Sequence, residues 1–419
     1  MVAVVVGASV AGARALQSLR RLGYPGRIIL IGEETAAPYD RPPLSKGMLS
    51  GRVTAERIAL LRDADLADPS VQVRLGTRAE RVHPEEHEIE LAGGERLGYE
   101  HLIIATGASA RRAPWDPGLP VLRTLDDARR LSAQLRPGAH LVVIGGGFVG
   151  SEVAATARGL GLTVTLVDPL VAPMARMVGD ELGGYLAGLH TANGVRARFG
   201  AGVAGVQRRN DGYEVCLSDG AAIAADVVLV AIGARPNDEW VARSGLPVAN
   251  GVLCDEYSRV VGWPDVYAVG DVARSTHPRH GQQIRIEHWT NAVEQAECVV
   301  RTVLNPAAPQ QHAPIEYVWT EQYARKIQIT GRPSGRPVAV ADGSGARVGV
   351  LYGDVHDQLA GAVTLDWPRA MLAARSVLAA GGRVGTAHDR WLELAGGAGP
   401  LTAFKSMHMI RPNCEGSPP

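Results

Sequence analysis

The chain has 419 residues, with 43 Lys and Arg against 43 Asp and Glu, so its formal net charge is zero. At roughly 150 residues per domain, this length suggests about three domains. The charge balance argues against bulk binding to nucleic acid or to an anionic membrane, while leaving room for a local basic patch. The four cysteines form no CxxC pair. This argues against a disulfide scaffold, and we expect no metal site.

The N-terminus enters an apolar strand directly, without a basic leader or a cleavage site. No apolar run reaches the roughly 18 residues that a membrane-spanning helix requires. We therefore expect a soluble, cytoplasmic protein.

A dinucleotide fingerprint opens the chain. An apolar strand at residues 2–6 leads to the turn Gly7-Ala8-Ser9-Val10-Ala11-Gly12, a helical pattern at 13–22, a second strand at 27–31, and Glu33. In this βαβ pattern the glycines allow a tight turn and close packing, and the helix N-terminus attracts phosphates. The acid can accept hydrogen bonds from a ribose. The middle glycine is replaced by Ser9, so this copy alone is a weak signal.

The pattern recurs about 140 residues later, and there it is complete. An apolar strand at 141–144 precedes Gly145, Gly147 and Gly150, a helix is predicted at 151–160, and the strand at 163–167 ends at Asp168. Two copies in one chain predict two dinucleotides. A carboxylate at position 168 favours a free ribose 2′-OH over a 2′-phosphate, which favours NADH. Arg176 and nearby basic residues keep NADPH as the alternative.

Three further strand-and-turn signals lie at 102–107, 227–233 and 266–271, the last ending in Gly270-Asp271. Taken in order, they suggest that the chain returns to the first nucleotide fold after completing the second. The fold class is therefore α/β, with two Rossmann-like dinucleotide-binding domains, the second inserted in the first.

Three segments then point to one family. Residues 41–46 read Arg-Pro-Pro-Leu-Ser-Lys, residues 287–292 read Glu-His-Trp-Thr-Asn-Ala, and residues 318–323 read Val-Trp-Thr-Glu-Gln-Tyr. Together with the glycine turns, the chain resembles the ferredoxin reductases of bacterial oxygenase systems, within the two-dinucleotide flavoproteins. The resemblance covers about residues 1–380. Val318 stands where the family usually has an aromatic residue.

This resemblance implies an FAD domain at 1–110 and 236–309, an NAD domain at 111–235, and an α+β C-terminal domain at 310–419. It implies hydride transfer from NADH to FAD, followed by single-electron steps to a small [2Fe–2S] ferredoxin. That ferredoxin would serve a cytochrome P450 or a Rieske oxygenase. We expect a monomer or a weak homodimer.

The resemblance and the glycine turns together assign cofactor contacts. Those for FAD are Gly7, Ser9, Ala11, Gly12, Glu33, Arg41, Lys46, Arg123, Gly270, Asp271, His288 and Trp289. Those for NADH are Gly145, Gly147, Phe148, Val149, Gly150, Asp168, Gly233 and Glu287.

Three residues are predicted to act beside the flavin. In a distant relative a lysine matching Lys46 pairs with a glutamate matching Glu152, which makes this pair a hypothesis here. The plainer interpretation of Glu152 is a charge near a helix N-terminus, worth about 0.3–1 kcal/mol. Trp319 matches an aromatic residue on the electron exit path, or it is a core aromatic of the C-terminal domain.

Three alternative functions are considered, and the sequence argues against the first of them. A disulfide reductase needs a redox cysteine, and residues 44–51 contain none. An NADH-responsive sensor and an oxidoreductase acting on a small biosynthetic substrate remain. The stretch 385–419, which includes Cys414, matches nothing and is predicted to be a partly loose terminus.

Overall fold

The computed structural model describes residues 1–116, 118–341 and 347–396. These residues form two compact units. Unit 1 contains residues 1–43, 53–109 and 234–314, and unit 2 contains residues 44–52, 110–233 and 315 onward. The second nucleotide fold is therefore inserted in the first along the chain, as predicted. The predicted boundaries of three separate domains remain a prediction.

The centre of unit 1 is a nine-stranded sheet. Its parallel core has, in spatial order, Val71–Arg74, Arg27–Ile31, Val2–Val6, His101–Ile104 and Trp263–Ala268. The three inner strands, Arg27–Ile31, Val2–Val6 and His101–Ile104, are buried over nearly their whole length, which explains their largely apolar sequences. The sheet continues through Arg259–Val260, Val252–Cys254, Ala273–His277 and Gln282–Arg285.

Helices cover one face of this sheet, and a small antiparallel sheet lies beyond the other. The helices Val10–Arg21 and Trp289–Leu304 pack there through side chains such as Leu16, Leu19 and Val299. The small sheet consists of Ala79–His83, Glu88–Leu91 and Arg96–Gly98. Short helices complete this part of the chain at Glu56–Ile58, Asp63–Leu66, Glu239–Ala242 and Gly270–Val272.

Unit 2 contains the second nucleotide fold. Its four parallel strands are Val195–Phe199, Thr163–Asp168, His140–Ile144 and Val227–Val230, in that spatial order. The helices are Leu125–Ser132, Phe148–Gly159 and Ala175–Ala192. An antiparallel sheet of Val203–Arg209, Gly212–Leu217 and Ala222–Ala225 packs on the same core.

The C-terminal part of unit 2 is a five-stranded antiparallel sheet with two helices. The strands lie in the order Tyr317–Gln322, Arg325–Gly331, Leu359–Leu365, Val348–Gly353 and Arg336–Ala341. The helices are Pro368–Ala379 and Val384–Leu394.

The remaining short elements, which lie earlier in the chain, are Pro42–Ser45, Ala108–Ala110 and Ala234–Pro236. Among the described residues, no helix combines the length and the apolar character needed to cross a membrane.

The prediction of a loose terminus from residue 385 is wrong for its first part. Residues 384–394 form a helix in which Val384, Ala387 and Trp391 are buried. The Trp391 indole N–H donates to the carbonyl oxygen of Ala370 at 2.8 Å, and its ring lies 5.7 Å from that of Trp367. Burial of this aromatic anchors the helix. Cys414 lies outside the described residues.

We expect Trp391→Ala to lower the free energy of unfolding by about 3–5 kcal/mol, because it removes a large, fully buried side chain and leaves a cavity. Leu394→Ala is the matched control in the same helix, since Leu394 is 38 % exposed. Denaturant unfolding of both variants measures the difference. Equal, small losses would mean that this helix does not contribute to the core.

Candidate functional site

The two strand-to-helix junctions predicted to bind dinucleotides have the same backbone geometry. Gly7 has φ +118° and Gly145 has φ +110°, values that residues with side chains rarely adopt. A Cβ atom added to Gly7 would lie 2.1 Å from the carbonyl oxygen of Ala105, and one added to Gly145 would lie 2.3 Å from that of Ala231. Both positions therefore require glycine.

The last glycine of each turn packs against the first. A Cβ on Gly12 would lie 1.8 Å from the carbonyl oxygen of Gly7, and a Cβ on Gly150 would lie 1.8 Å from that of Gly145. Each helix therefore begins directly on its turn. The free N–H groups and the positive dipole end of a helix attract anions at such a place.

The middle position distinguishes the two turns. In the part of the chain that the structure describes, no heavy atom lies within 4 Å of a Cβ built on Gly147. Ser9 and Gly147 are the N-caps of their helices, both with extended backbone, and no side-chain cap is found within the described ranges. Two glycine cradles at uncapped helix N-termini fit the pyrophosphates of two dinucleotides.

Ser9 has a partner that explains its place in the first turn. Its hydroxyl oxygen accepts a hydrogen bond from Arg41 Nε at 3.1 Å, and Arg41 Nη2 lies 3.0 Å from Glu34 Oε1. Tyr39 also donates its hydroxyl to Glu34 at 2.5 Å. Arg41 is thereby fixed beside the turn, which suits a phosphate contact. Sequence analysis missed Glu34 because the fingerprint pointed to its neighbour.

Glu33, the acid that the fingerprint did predict, lies just beyond the strand Arg27–Ile31. Its side chain is 72 % exposed and lies 3.7 Å from Arg78 Nη1. An exposed carboxylate at this edge is available to a ribose, and its predicted contact remains a prediction.

Asp168 connects the second turn to the loop after its strand. One carboxylate oxygen accepts the N–H of Gly146 at 2.7 Å, and the other accepts the N–H of Leu170 at 2.8 Å. A carboxylate oxygen has more than one acceptor site, so these bonds leave capacity for a ribose hydroxyl. Arg176, the basic residue that kept NADPH open, is exposed at the start of the helix Ala175–Ala192.

The remaining predicted FAD residues of unit 1 lie on two elements. Gly270, with φ +72°, begins the short helix that contains Asp271. His288 is the N-cap of the helix Trp289–Leu304, and the Trp289 indole N–H donates to Asp40 Oδ1 at 2.8 Å. Glu287, predicted for the nicotinamide, also lies in unit 1, where it pairs with Arg285.

In unit 2, Lys46 and Glu152 form the predicted ion pair. Lys46 Nζ lies 2.8 Å from Glu152 Oε2, and the two side chains are 19 % and 8 % exposed. Ser45 donates its hydroxyl to the same carboxylate oxygen. Thr320 donates its hydroxyl to the other oxygen at 2.8 Å. The Glu152 carboxylate therefore accepts hydrogen bonds from three donors. Its role is more than that of a single charge near a helix N-terminus, because it is the centre of a buried polar cluster.

Ser45 and Thr320 are functional candidates that sequence analysis did not identify. Ser45 is held in turn, because Thr156 donates its hydroxyl to the Ser45 carbonyl oxygen at 2.8 Å. Thr320 lies in the strand Tyr317–Gln322, on the opposite side from its neighbour Trp319. Its contact with Glu152 spans 168 positions, which no local pattern reveals.

Trp319 is partly buried and belongs to an aromatic stack. Its ring lies 6.0 Å from that of Tyr317 with an interplanar angle of 26°. The guanidinium of Arg375 lies over the Tyr317 ring at 4.8 Å, and Gln328 donates to the Tyr317 hydroxyl at 2.7 Å. The stack fixes the orientation of the indole on the C-terminal sheet.

The other predicted residues of unit 2 border its nucleotide turn or lie in loops. Phe148 and Val149 form the first turn of the helix after Gly147, and Val149 is 38 % exposed. Gly233, with φ +100°, follows the strand Val227–Val230. Arg123 precedes the helix Leu125–Ser132, where its backbone N–H donates to Asp127 at 3.1 Å.

We expect Glu152→Leu to lower the free energy of unfolding by about 3–5 kcal/mol, because it leaves the Lys46 ammonium without its buried partner. The double variant Lys46→Met/Glu152→Leu should lose less than this single variant, since neither charge is then stranded. Denaturant unfolding of the two single variants and the double variant gives the coupling energy. Additive losses would contradict a buried, coupled pair.

Comparison with known proteins agrees with this geometry. The family model described as pyridine nucleotide-disulphide oxidoreductase matches residues 1–296, and one described as reductase C-terminal matches residues 317–390. The second match extends past residue 380, where the resemblance was expected to end.

Curated relatives and solved structures cover nearly the whole chain. Rhodocoxin reductase of Rhodococcus erythropolis is 37 % identical over 385 residues, covering 90 % of this chain and 89 % of its own length. The ferredoxin–NAD(+) reductase component of the p-cumate 2,3-dioxygenase system of Pseudomonas putida is 38 % identical, covering 89 % and 92 %. The putidaredoxin reductase–putidaredoxin covalent complex matches with a TM-score of 0.84 at 32 % identity, covering 90 % and 92 %.

These matches account for the two nucleotide folds and for the C-terminal sheet, and members of such a family use FAD and NAD(P)H. The chain is an oxidoreductase that belongs to the pyridine nucleotide-disulphide oxidoreductase family, with the reductase-type C-terminal region.

Proposed function

We propose that this chain passes electrons from NADH through FAD to a small iron–sulfur ferredoxin that serves a cytochrome P450 or a Rieske oxygenase. The observation that carries the proposal is the pair of matching glycine turns, one in each unit, each built to approach a pyrophosphate. A reductase of this kind needs both a bound flavin and a nicotinamide donor in one chain.

The turn of unit 1 is assigned to FAD, and the turn of unit 2 to the nicotinamide dinucleotide. FAD, when bound, accepts two electrons as a hydride and can release them singly, which matches a nicotinamide donor to a one-electron acceptor. The chain contributes Gly7, Ser9 and Gly12 to hold the pyrophosphate, and Arg41 to balance the negative charge of the phosphates. Gly270, Asp271, His288 and Trp289 are assigned to the rest of the flavin nucleotide.

A ferredoxin is proposed as acceptor because the relatives are named for that role. They include reductase components of oxygenase systems and a reductase solved in complex with putidaredoxin. The match over residues 317–390 supports carrying the role over, since it includes Trp319. A [2Fe–2S] cluster in the partner, a monomeric or weakly dimeric state and a cytoplasmic location remain predictions.

Disulfide chemistry, which the family name includes, does not suit this chain. Residues 44–51 contain no cysteine. Burial raises the pKa of the Cys298 thiol to about 11 and also raises the pKa of Cys254. A redox thiol must ionise readily, so these two cysteines suit packing instead.

NADH is proposed over NADPH because of the Asp168 carboxylate. It is held beside the second turn by the N–H groups of Gly146 and Leu170, so it cannot easily move aside. A 2′-phosphate placed there would meet a fixed negative charge, whereas a 2′-OH can donate to it.

Lys46, Glu152 and Trp319 are the residues we propose for work at the reacting end of the flavin. A lysine ammonium stabilises negative charge on a reduced ring. The carboxylate of Glu152 holds Lys46 in place and is itself oriented by hydrogen bonds from Ser45 and Thr320. The stacked indole of Trp319 offers an apolar surface near which electrons can leave.

Anaerobic stopped-flow reduction of the purified yellow protein tests this proposal. We expect NADH to bleach the flavin at least about tenfold faster than NADPH, equivalent to about 1.4 kcal/mol of discrimination. A [2Fe–2S] ferredoxin added next should reoxidise it. Asp168→Asn is the matched variant: it removes the charge and keeps one of the two acceptor oxygens, so the preference for NADH over NADPH should narrow.

Fast bleaching by NADH without reoxidation by any ferredoxin would contradict the proposal that a ferredoxin is the electron acceptor, and would favour a small-molecule substrate. Slow turnover with every ferredoxin, together with NADH-dependent dimerisation, would favour a sensor.

A further inference from the structure

We infer that Gln295 is a positioning residue for FAD: its side-chain amide holds the turn at Gly270 and Asp271 in the shape that the flavin nucleotide requires. The inference rests on the proposed function, in which unit 1 binds FAD. It adds a residue that neither the dinucleotide fingerprint nor the segment 287–292 includes.

The turn at Gly270 is buried, and Gln295 binds its first N–H, while Arg285 Nη1 donates to the Asp271 carbonyl oxygen at 3.0 Å. The N–H of Gly270 donates to Gln295 Oε1 at 2.9 Å, and Gln295 is 2 % exposed. A Cβ on Gly270 would lie 3.1 Å from Cβ of Ala11, so this turn packs on the first turn of the helix Val10–Arg21. Two segments assigned to FAD therefore touch each other here.

Two serines fix the orientation of the Gln295 amide. Its nitrogen donates to the hydroxyl oxygen of Ser258 at 2.9 Å and to that of Ser275 at 3.2 Å. An amide nitrogen only donates and an amide oxygen only accepts. A flipped amide would direct its N–H groups at the N–H of Gly270, so the serines keep the acceptor facing the turn.

Asn291 supports the same amide from within the segment 287–292. Its nitrogen donates to the carbonyl oxygen of Ile286 at 3.2 Å and to Gln295 Oε1 at 3.4 Å. Its oxygen accepts from His312 Nε2 at 2.9 Å. Burial, reinforced by the nearby His277, lowers the pKa of His312 to about 4, so the ring is neutral at physiological pH.

Removing the Gln295 amide would leave the N–H of Gly270 buried without its acceptor. An unmet buried donor is costly, so the turn would shift to find another partner. Asp271 follows Gly270 directly, and its place would change with the turn. FAD affinity should then fall by more than the general loss of stability explains.

The test compares Gln295→Met with Gln283→Met in the FAD-loaded protein. Gln283 is the matched control in unit 1: its amide donates to the Cys254 carbonyl oxygen at 2.9 Å and to the Thr276 hydroxyl at 2.8 Å. Dilution of each holoprotein, followed by flavin fluorescence, measures the Kd for FAD. We expect Gln295→Met to raise this Kd about tenfold, and Gln283→Met to leave it unchanged.

If Gln295→Met does not fold, a second pair of variants, Ser275→Ala and Thr276→Val, is compared in the same way. Ser275→Ala removes one of the acceptors that orient Gln295 and should raise the Kd for FAD about threefold. Thr276→Val removes the acceptor of Gln283 in the same strand and should not change the Kd.

Equal Kd values within each pair would overturn the inference while the wild-type protein still binds FAD. A wild-type protein that binds no FAD would overturn the proposed function as well.

Discussion

The arrangement of both nucleotide folds depends on the contact between the first and last glycines of each turn. The carbonyl oxygen of Gly7 occupies the position where a side chain on Gly12 would begin, and Gly145 and Gly150 repeat this contact. Helix and strand can meet this closely only without a Cβ atom. Each helix N-terminus is consequently placed at the end of its parallel sheet, where an anion finds free N–H groups.

Besides its glycine turn, each unit contains a buried polar side chain that makes several hydrogen bonds. In unit 2 it is Glu152, bound by Lys46, Ser45 and Thr320. In unit 1 it is Gln295, which holds the Gly270 turn. Such fully satisfied groups rigidify their surroundings, and loss of one partner is costly. The glycine turns suit the pyrophosphate that all dinucleotides share, whereas each of these polar clusters is particular to its own unit.

The sequence predicted much of the fold because buried parallel strands and glycine turns are local signals. The strands at 2–6 and 27–31 lie where the apolar runs placed them, but the helices begin at residues 10 and 148, within the glycine motif itself. The helix at 384–394 was missed, although its buried residues have helical spacing. Glu34, Ser45, Thr320 and Gln295 were missed because their contacts are set by tertiary structure.

The variant Gly147→Val tests whether the two similar turns bind two different dinucleotides. The space around this position is open among the described residues, so the chain should fold, while the new side chain blocks a pyrophosphate. The FAD content, from the absorption spectrum, and the affinity for NAD⁺, from equilibrium dialysis, are measured together. We expect about one FAD per chain and an NAD⁺ affinity at least about tenfold weaker than that of the wild-type protein. Unchanged NAD⁺ affinity, or loss of FAD with it, would contradict two separate sites.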